Sequence, residues 1–267
     1  MKSDKNHMAA RDLVDLLASR GRYSFTSGEA CQTLDVSPAA GKQALHRLTV
    51  QGKIASPARG FYVIVPPEYR SLNCLPAEQF IPDLAEQKGL TYYAGLLTAA
   101  QYHGAAHQRP QAFQVFLQKS RRPIHCGKVK VEFIAKKNVD DIPICKRNTA
   151  RGELIISTPE ATAIDLTGYP EHAGGLDQIT TIVAELADEI DSLALAKAAV
   201  AAPVTWAQRL GYILEFLGKQ DIAFDIREYV RKHAKEYTKL MPGKENRDGQ
   251  HLRDWKLIVN TILEPDL

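Results

Sequence analysis

The sequence predicts an α+β protein in which a small N-terminal unit precedes a larger mixed domain. Short helical patterns and a hairpin fill residues 8–65, three runs rich in β-forming residues lie between 112 and 157, and helical periodicity resumes at 176. A helix, a meander of strands and then further helices are typical of an α+β domain.

The composition is that of a globular protein with room for two domains. The chain has 267 residues, of which 45% are hydrophobic and 24% charged, and its net charge is +3. Residues 1–67 hold nine Lys or Arg against five Asp or Glu, so the positive charge lies in the N-terminal unit. This excess is modest, but it has the sign that binding to phosphate groups requires.

Cysteine usage and hydropathy predict a cytoplasmic protein. The sequence has no secretory signal and no apolar run of about 18 residues, so no membrane association is expected. The cysteines are scattered, have no CxxC spacing, and predict free thiols in a reducing compartment. They are Cys31, Cys74, Cys126 and Cys145.

Residues 8–36 predict two short helices that pack against a third. Apolar positions repeat at helical spacing, and Gly and Thr-Ser supply the stop and start signals. The predicted elements are a frayed start over 1–7, a helix over 8–20 ended by Gly21, an extended piece over 23–25, a helix over 28–34 capped by Thr26 or Ser27, and a turn at 35–36.

Residues 37–52 carry the strongest helix signal. Ser37 is a preferred N-cap, Pro38 suits the first helical position, and Gly52 suits the residue just beyond the end. At a period of 3.6, one face is small or apolar and the opposite face is mostly polar. The first face holds Gly41, Ala44, Leu45 and Leu48, and the second holds Ala39, Lys42, Gln43, His46 and Arg47.

A small basic hairpin follows this helix at once, with strands over 53–56 and 61–65 and a turn that carries Pro57, Arg59 and Gly60. Together these elements predict a winged helix-turn-helix, in which the helix enters the major groove of double-stranded DNA and the wing holds the neighbouring backbone. The alternative is a helix with a solvated face and an ordinary hairpin. The predicted DNA-binding residues are Ser37, Lys42, Gln43, His46, Arg47 and Arg59.

Proline positions suggest the domain boundaries. Pro66 and Pro67 suit a stiff exit from a domain. We therefore predict a winged helix-turn-helix DNA-binding domain over 1–67, a connector with a mixed helical segment over 68–90, and a larger α+β domain over 91–267.

The larger domain is predicted to open with a helix and to continue with strands and then helices. A basic loop between its first two strands carries Lys119, Arg121, Arg122, His125 and Lys128, and it is either a solvated loop or a contact for nucleic acid or an acidic protein. The predicted elements are a helix over 92–103, strands over 112–118, 129–135 and 153–157, helices over 159–167, 176–186, 192–201, 204–217 and 221–232, a polar loop over 241–250, and a strand or short helix over 255–260.

No catalytic or metal-binding constellation is predicted, so we expect neither enzymatic activity nor a cofactor. Phosphate-loop, zinc-protease and nucleophile-elbow motifs are absent from the sequence. His103 and His107 have the spacing of metal ligands on a helix, but Gly104 predicts that the helix ends between them. Glu132 and Glu153 do not complete the E-x-K motif of restriction-type nucleases.

Four segments, taken in order, resemble those of one family. They are RGFYVIVP at the end of the hairpin, YYAGLLTAAQYHG, ISTPEATAIDLTGYPEHAGGLDQI and WAQRLGYILEFLG. Over roughly residues 8–260, the chain thereby resembles the AbiEi-like antitoxins of bacterial abortive-infection (type IV) toxin–antitoxin systems.

The resemblance implies a transcriptional autorepressor whose N-terminal domain binds inverted repeats in the promoter of its own operon. It also implies an antitoxin domain that counteracts a cognate toxin with a nucleotidyltransferase fold, and the type IV class implies antagonism without a stable complex. The DNA-contact role carries over to matching positions only, and no catalytic residue carries over. Those positions are Lys42, Gln43, His46 and Arg47 on the helix and Arg59 on the wing.

Two other classes of function stay open at this point. A winged-helix regulator that responds to a small ligand would need an apolar pocket with a few convergent polar groups. A nuclease would need carboxylates that are distant in the sequence but converge in space.

Overall fold

The computed structural model describes residues 8–105, 110–245 and 249–266. Residues 1–7 and His107, for which the sequence suggests a frayed end and a metal ligand, lie outside these ranges. The described chain is a mixed α+β structure with three sheets, which confirms the predicted class. None of its helices is both long enough and apolar enough to cross a membrane.

The N-terminal unit consists of three helices and a three-stranded antiparallel sheet. The sheet has the order β1-β3-β2. Its elements are α1 (Ala10–Ser19), β1 (Ser24–Thr26), α2 (Ser27–Leu34), α3 (Pro38–Val50), β2 (Ile54–Ala58) and β3 (Phe61–Ile64). One apolar core joins the three helices to the sheet and contains Leu13, Phe25, Ala30, Leu34, Leu45, Leu48, Ile54 and Ile64.

Local signals explain where these helices begin and end. Thr26 caps α2 reciprocally with Glu29, because the Glu29 amide donates to Thr26 Oγ1 at 3.0 Å and the Thr26 amide donates to Glu29 Oε2 at 2.7 Å. Asp35 ends the same helix in the left-handed conformation, with φ of 50°. The turn between α2 and α3 is therefore fixed by short-range chemistry, as the sequence predicts.

Residues 66–90 are folded against both neighbours. They form two 3₁₀ segments (Pro67–Leu72 and Ala77–Gln79) and α4 (Ile81–Lys88). Their apolar side chains share a core with β2 and β3 on one side and with the larger sheet on the other. This shared core includes Ala55, Phe61, Val63, Val65, Cys74, Leu75, Phe80, Ile81, Leu84, Val115, Ile124, Val131 and Ile156.

A six-stranded mixed sheet forms the centre of the remaining chain. Its strands are β4 (Tyr92–Ala94), β5 (Phe113–Leu117), β6 (Ile124–Cys126), β7 (Val129–Ala135), β8 (Ile144–Thr149) and β9 (Gly152–Ser157), in the order β6-β7-β5-β4-β9-β8. The pairs β6–β7 and β8–β9 are antiparallel hairpins, and they form the two edges of the sheet. In the turn between β8 and β9, the Arg151 guanidinium carbon lies 3.2 Å from the centre of the Tyr23 ring.

Six α-helices, three short 3₁₀ segments (Val139–Asp141, Pro170–His172 and Ala187–Glu189) and a small third sheet complete the described part of the fold. The helices are α5 (Leu96–Tyr102), α6 (Pro159–Gly168), α7 (Leu176–Leu186), α8 (Ser192–Val200), α9 (Val204–Phe216) and α10 (Ala223–His233). The small sheet contains β10 (Thr238–Lys239), β11 (Gln250–Leu252) and β12 (Leu257–Val259). Trp255 is fully buried against Gly211 of α9, where an added Cβ would come within 2.0 Å of the indole ring.

The prediction of one helix over 92–103 is wrong at its start. Tyr92–Ala94 form a strand between β5 and β9, and the helix begins only after Gly95. A central strand is buried on both faces, so its sequence is a continuous apolar run that periodicity cannot distinguish from a buried helix. Gly95 lies between the two elements. A side chain is excluded at this position, because a Cβ there would lie 2.6 Å from the Phe116 ring.

Two edge strands, β6 and β8, are absent from the sequence prediction. Strand β6 has three residues, and β8 alternates half-exposed with exposed positions, so neither has a strong apolar pattern. The predicted basic loop over 119–128 therefore contains a short strand, β6, between two loop segments. All four cysteines are free thiols, and Cys74 and Cys126 are buried.

Candidate functional site

The polar face of α3 is exposed. Ser37 caps the helix, and its Oγ accepts a hydrogen bond from the Ala40 amide at 3.4 Å, while Pro38 occupies the first turn. The four polar side chains predicted to contact DNA are all exposed, and they share one side of the helix: Lys42, Gln43, His46 and Arg47. This face carries donors and acceptors that reach base edges and phosphates in protein–DNA complexes.

The opposite face of α3 holds the helix in place. Gly41, Ala44, Leu45 and Leu48 are buried, as the helical period predicts. A Cβ at Gly41 would come within 2.3 Å of Cys31 Sγ on α2, so the two helices approach closely because position 41 has no side chain. A helix that is already held in place loses less conformational entropy when a partner binds to its polar face.

The sixth predicted residue, Arg59, lies in the turn between β2 and β3 and is exposed. Gly60 beside it has φ of +75°, which a residue with a side chain rarely adopts. The Gly60 carbonyl accepts a hydrogen bond from the Ser27 amide at 3.0 Å, so the turn is anchored to the start of α2. Ser37, the polar face of α3 and Arg59 thus all belong to the N-terminal unit, and their contact with DNA stays a prediction.

The structure also contains a buried ionic cluster that the sequence analysis missed. Lys136 Nζ donates to Asp165 Oδ1 at 2.5 Å, and the Tyr93 hydroxyl donates to Asp165 Oδ2 at 2.7 Å. The rings of Tyr93, Phe116 and Trp206 lie between 5.5 and 5.8 Å from the ammonium group. Tyr93, Lys136 and Asp165 are far apart in the sequence and share no local motif. A single sequence therefore gives no signal that they meet.

This cluster is closed to solvent. The side chains of Lys136 and Asp165 are 3% and 1% exposed. Burial raises the pKa of Asp165 above its ordinary value, while Lys136 and the hydrogen bond from Tyr93 oppose that increase. Burial and the Asp165 charge raise the pKa of the Tyr93 hydroxyl as well. The cluster therefore ties the end of β7 to α6.

His103 is held by protein groups on both ring nitrogens. Nε2 lies 2.8 Å from the Ser157 carbonyl oxygen, and Nδ1 lies 3.1 Å from Arg147 Nη2. Because Arg147 can only donate, Nδ1 is the acceptor and Nε2–H is the donor of a neutral ring. Burial lowers the pKa of His103, and the nearby Glu189 carboxylate opposes this effect. Within the described ranges, no group of three or more His, Cys, Asp or Glu side chains is arranged to hold a metal ion.

A cleft of about 720 Å³ on the larger domain is lined by both polar and apolar residues. Its carboxylates belong to Glu132, Asp177, Glu185, Glu264 and Asp266. His172 Nδ1 lies 2.9 Å from Glu132, and the backbone amide of Glu264 donates to Asp177 at 2.8 Å. Five carboxylates are more than the few convergent polar groups that a small-ligand pocket typically has.

Comparison with known proteins agrees with the sequence resemblance over part of the chain. Residues 93–216 match the family model described as the AbiEi antitoxin C-terminal domain. The fold is similar to the crystal structure of the RV2827C protein from Mycobacterium tuberculosis, with a TM-score of 0.67 and 18% identity over 93% of this chain and 90% of that one. At this identity the similarity concerns the fold alone. No curated protein matches the chain in sequence. The resemblance to the AbiEi-like antitoxins is thus confirmed over residues 93–216, which match the AbiEi antitoxin C-terminal domain.

Proposed function

We propose that this protein is a cytoplasmic DNA-binding autorepressor and an antitoxin, without enzymatic activity, that counteracts a nucleotidyltransferase-type toxin encoded in the same operon. The observation that carries the DNA-binding half is the exposed polar face of α3, in the same unit as the exposed Arg59 turn. The observation that carries the antitoxin half is the family of residues 93–216.

The N-terminal unit has the element order of a winged helix-turn-helix: α1, β1, α2, α3 and then the β2–β3 hairpin. In this proposal α3 is the recognition helix and the hairpin is the wing. Arg47 and Lys42 contact guanine or phosphate, Gln43 contacts adenine or phosphate, and each bidentate base contact contributes about 1–3 kcal/mol of discrimination. Arg59 contacts the backbone next to the groove that α3 occupies.

In this proposal the larger domain acts without chemistry from its buried groups. Its buried ionic groups, Lys136 and Asp165, are paired with each other, and His103 is satisfied on both nitrogens. We therefore assign the antitoxin effect to the surface of residues 93–216 and not to chemistry in a pocket.

A mobility-shift titration tests the DNA-binding half. The full-length protein is titrated against the DNA directly upstream of its own gene and against scrambled DNA of the same length, at about 150 mM salt. We expect binding to the upstream DNA to be roughly 10³-fold tighter, within the usual range for specific regulators. Equal and weak binding to both DNAs would contradict the proposal.

Co-expression tests the antitoxin half independently. The gene that adjoins this one in the operon is induced alone and together with this chain, and growth is followed. We expect the neighbouring gene to arrest growth and this protein to restore it. Rescue should survive Arg47→Ala, since that side chain belongs to the DNA-binding surface. A neighbouring gene without toxicity, or toxicity that this chain does not relieve, would refute the antitoxin role.

A further inference from the structure

Two cysteines from distant parts of the chain lie together in the core that joins the N-terminal unit to the larger domain. Cys74 follows the first 3₁₀ segment of residues 66–90, and Cys126 is the last residue of β6. Both belong to the apolar core that residues 66–90 share with β2, β3 and the six-stranded sheet. Cys74 is fully buried, and Cys126 is 8% exposed. The proposed function uses neither thiol.

The backbone holds these two positions next to each other. A Cβ added at Gly127 would lie 2.9 Å from the carbonyl carbon of Asn73, which is the atom bonded to the Cys74 nitrogen. The amide that follows Gly127 donates to the Leu72 carbonyl at 2.8 Å. The residue after Cys126 therefore touches the peptide bond that leads into Cys74. A disulfide requires Cα atoms about 4.4–6.8 Å apart, and backbone segments in contact can supply such a separation.

The two thiols also interact directly. Hydrogen bonding between them is the largest cause of both pKa shifts, which lower the pKa of Cys126 and raise the pKa of Cys74. Burial opposes the decrease at Cys126, and a backbone hydrogen bond from Ser56 adds to it. The pair therefore loses its first proton at Cys126, and Cys74 donates to the resulting thiolate. Because the thiolate is the nucleophile, Cys126 is the reactive member of the pair.

A small oxidant reaches Cys126 more readily than Cys74. Cys126 ends a strand of three residues at the edge of the six-stranded sheet. Short edge elements have few contacts to hold them and open locally at a small cost in free energy. Cys74 is enclosed, so it meets the oxidised sulfur of Cys126 before an external thiol does. The two positions thus suit a thiol that reacts first and a thiol that resolves the product.

We propose that Cys74 and Cys126 form a redox-modification site, at which hydrogen peroxide converts the two thiols into an intramolecular disulfide. The Cys126 thiolate attacks the peroxide, the O–O bond breaks, and Cys126 becomes a sulfenic acid while the released hydroxide takes up a proton. The Cys74 sulfur then attacks the sulfenic sulfur, so that the S–S bond forms, the S–O bond breaks and the leaving hydroxide takes up the Cys74 proton. The two sulfurs lose two electrons, and the peroxide is reduced to two molecules of water.

The disulfide makes the joint between the two units sensitive to peroxide. Strand β6 packs against β2 of the N-terminal sheet, and Ile124 shares a buried cluster with Ala55. The bond closes a loop of about 50 residues across this joint, which restricts the unfolded chain and stabilises the folded one. Disulfides in a reducing compartment are usually transient and redox-sensing, which agrees with a pair that is reduced at rest.

Peptide mapping after oxidation tests the proposal. The reduced full-length protein is treated with a small excess of hydrogen peroxide near neutral pH, the remaining thiols are alkylated, and the digest is examined by mass spectrometry. We expect a peptide in which Cys74 and Cys126 are cross-linked and which dithiothreitol separates, while Cys31 and Cys145 are alkylated. The melting temperature should rise by roughly 5–15 °C on oxidation and return on reduction.

Cys145 supplies the matched control. It also lies on an edge strand, β8, and it is more exposed than Cys126. Burial raises its pKa, so it is a weaker nucleophile. The two edges are five strand spacings apart, roughly 24 Å, so Cys145 and Cys126 cannot pair within one molecule. Cys145→Ala should therefore retain both the cross-link and the rise in melting temperature.

Single variants separate the roles of the two thiols. In Cys74→Ala the oxidised Cys126 has no resolving partner, and we expect dimedone, a reagent for sulfenic acids, to label it. In Cys126→Ala the Cys74 thiol keeps its proton and is enclosed, so no dimedone adduct is expected at that position. Neither variant should gain melting temperature on oxidation.

The wild-type map decides the proposal even if a variant fails to fold. Peroxide that leaves both thiols free, or that links either one to Cys31 or Cys145, would overturn it. Equal dimedone labelling of Cys74 in one variant and of Cys126 in the other would overturn the assigned order of attack. None of these readouts involves DNA or a toxin, so this inference and the proposed function stand or fail separately.

Discussion

Two regions of this protein hold cations in opposite environments, one exposed to solvent and one buried. On α3, Lys42 and Arg47 are exposed. In the larger domain, Lys136 is enclosed by three aromatic rings and paired with a buried carboxylate. The exposed cations cost little in the free protein because water solvates them, so they remain available to a partner. The buried Lys136 ammonium has lost its hydrating water, and the charge of Asp165 must offset that desolvation cost.

The largest expected effect follows from breaking the buried pair. Asp165→Leu leaves the Lys136 ammonium without a partner in the core, and we expect the free energy of unfolding to fall by about 3–5 kcal/mol. Urea denaturation measures this change. The double variant Lys136→Met with Asp165→Leu should be more stable than Asp165→Leu alone, because it contains no unpaired buried charge. A single variant as stable as the wild type would mean that the pair contributes nothing.

The exposed face should respond in the opposite way. We expect Arg47→Ala to weaken operator binding by more than about tenfold, while the free energy of unfolding changes by less than about 0.5 kcal/mol, as for most surface substitutions. Mobility shift and urea denaturation measure the two quantities on one preparation. Lys232→Ala on α10 is the control, and it should change neither. Unaltered operator affinity in the Arg47 variant would remove this face from the DNA interface.

Two helix-cap variants should have smaller effects, and they separate a loss of stability from a loss of DNA affinity. Ser37→Ala should cost about 0.5 kcal/mol of stability, because its capping bond is long at 3.4 Å. Thr26→Ala should cost about 1 kcal/mol, because it disrupts a reciprocal cap with bonds of 3.0 and 2.7 Å. If Ser37 also contacts DNA, its variant loses operator affinity and the Thr26 variant does not. Equal affinities in both variants would restrict Ser37 to capping.

The smallest expected effect is a pH dependence from His103. Burial lowers the pKa of His103, so below its ordinary value of about 6.5 the unfolded chain binds the proton more readily than the folded chain. Its contribution to stability is complete above that value, decreases as the pH falls, and levels off below the folded pKa. Urea midpoints between about pH 5 and 8 should show a smaller dependence in His103→Gln. The exposed His125→Gln should behave as the wild type.

These regions also differ in how far the sequence predicts them. In the N-terminal unit, α3 depends on near neighbours: Ser37 and Pro38 start the helix, and the 3.6 period separates its faces. The larger domain depends on distant contacts. Tyr93, Lys136 and Asp165 belong to three elements, and nothing near any one of them in the sequence indicates the other two. Helix caps and periodicity can be predicted from one sequence, whereas contacts between distant residues become visible only in the folded structure.

The apolar core that joins β2 and β3 to the six-stranded sheet limits how this protein can be recombined. Phe61 and Val63 of the hairpin are buried together with Leu75, Phe80 and Ile124 from later segments. A chimera that replaces the N-terminal unit with one of different operator specificity must keep these contact positions compatible, or it exposes apolar surface on both sides of the junction. If α3 reads the operator as proposed, changes of operator specificity are therefore easier on its outer face than by exchange of the whole unit.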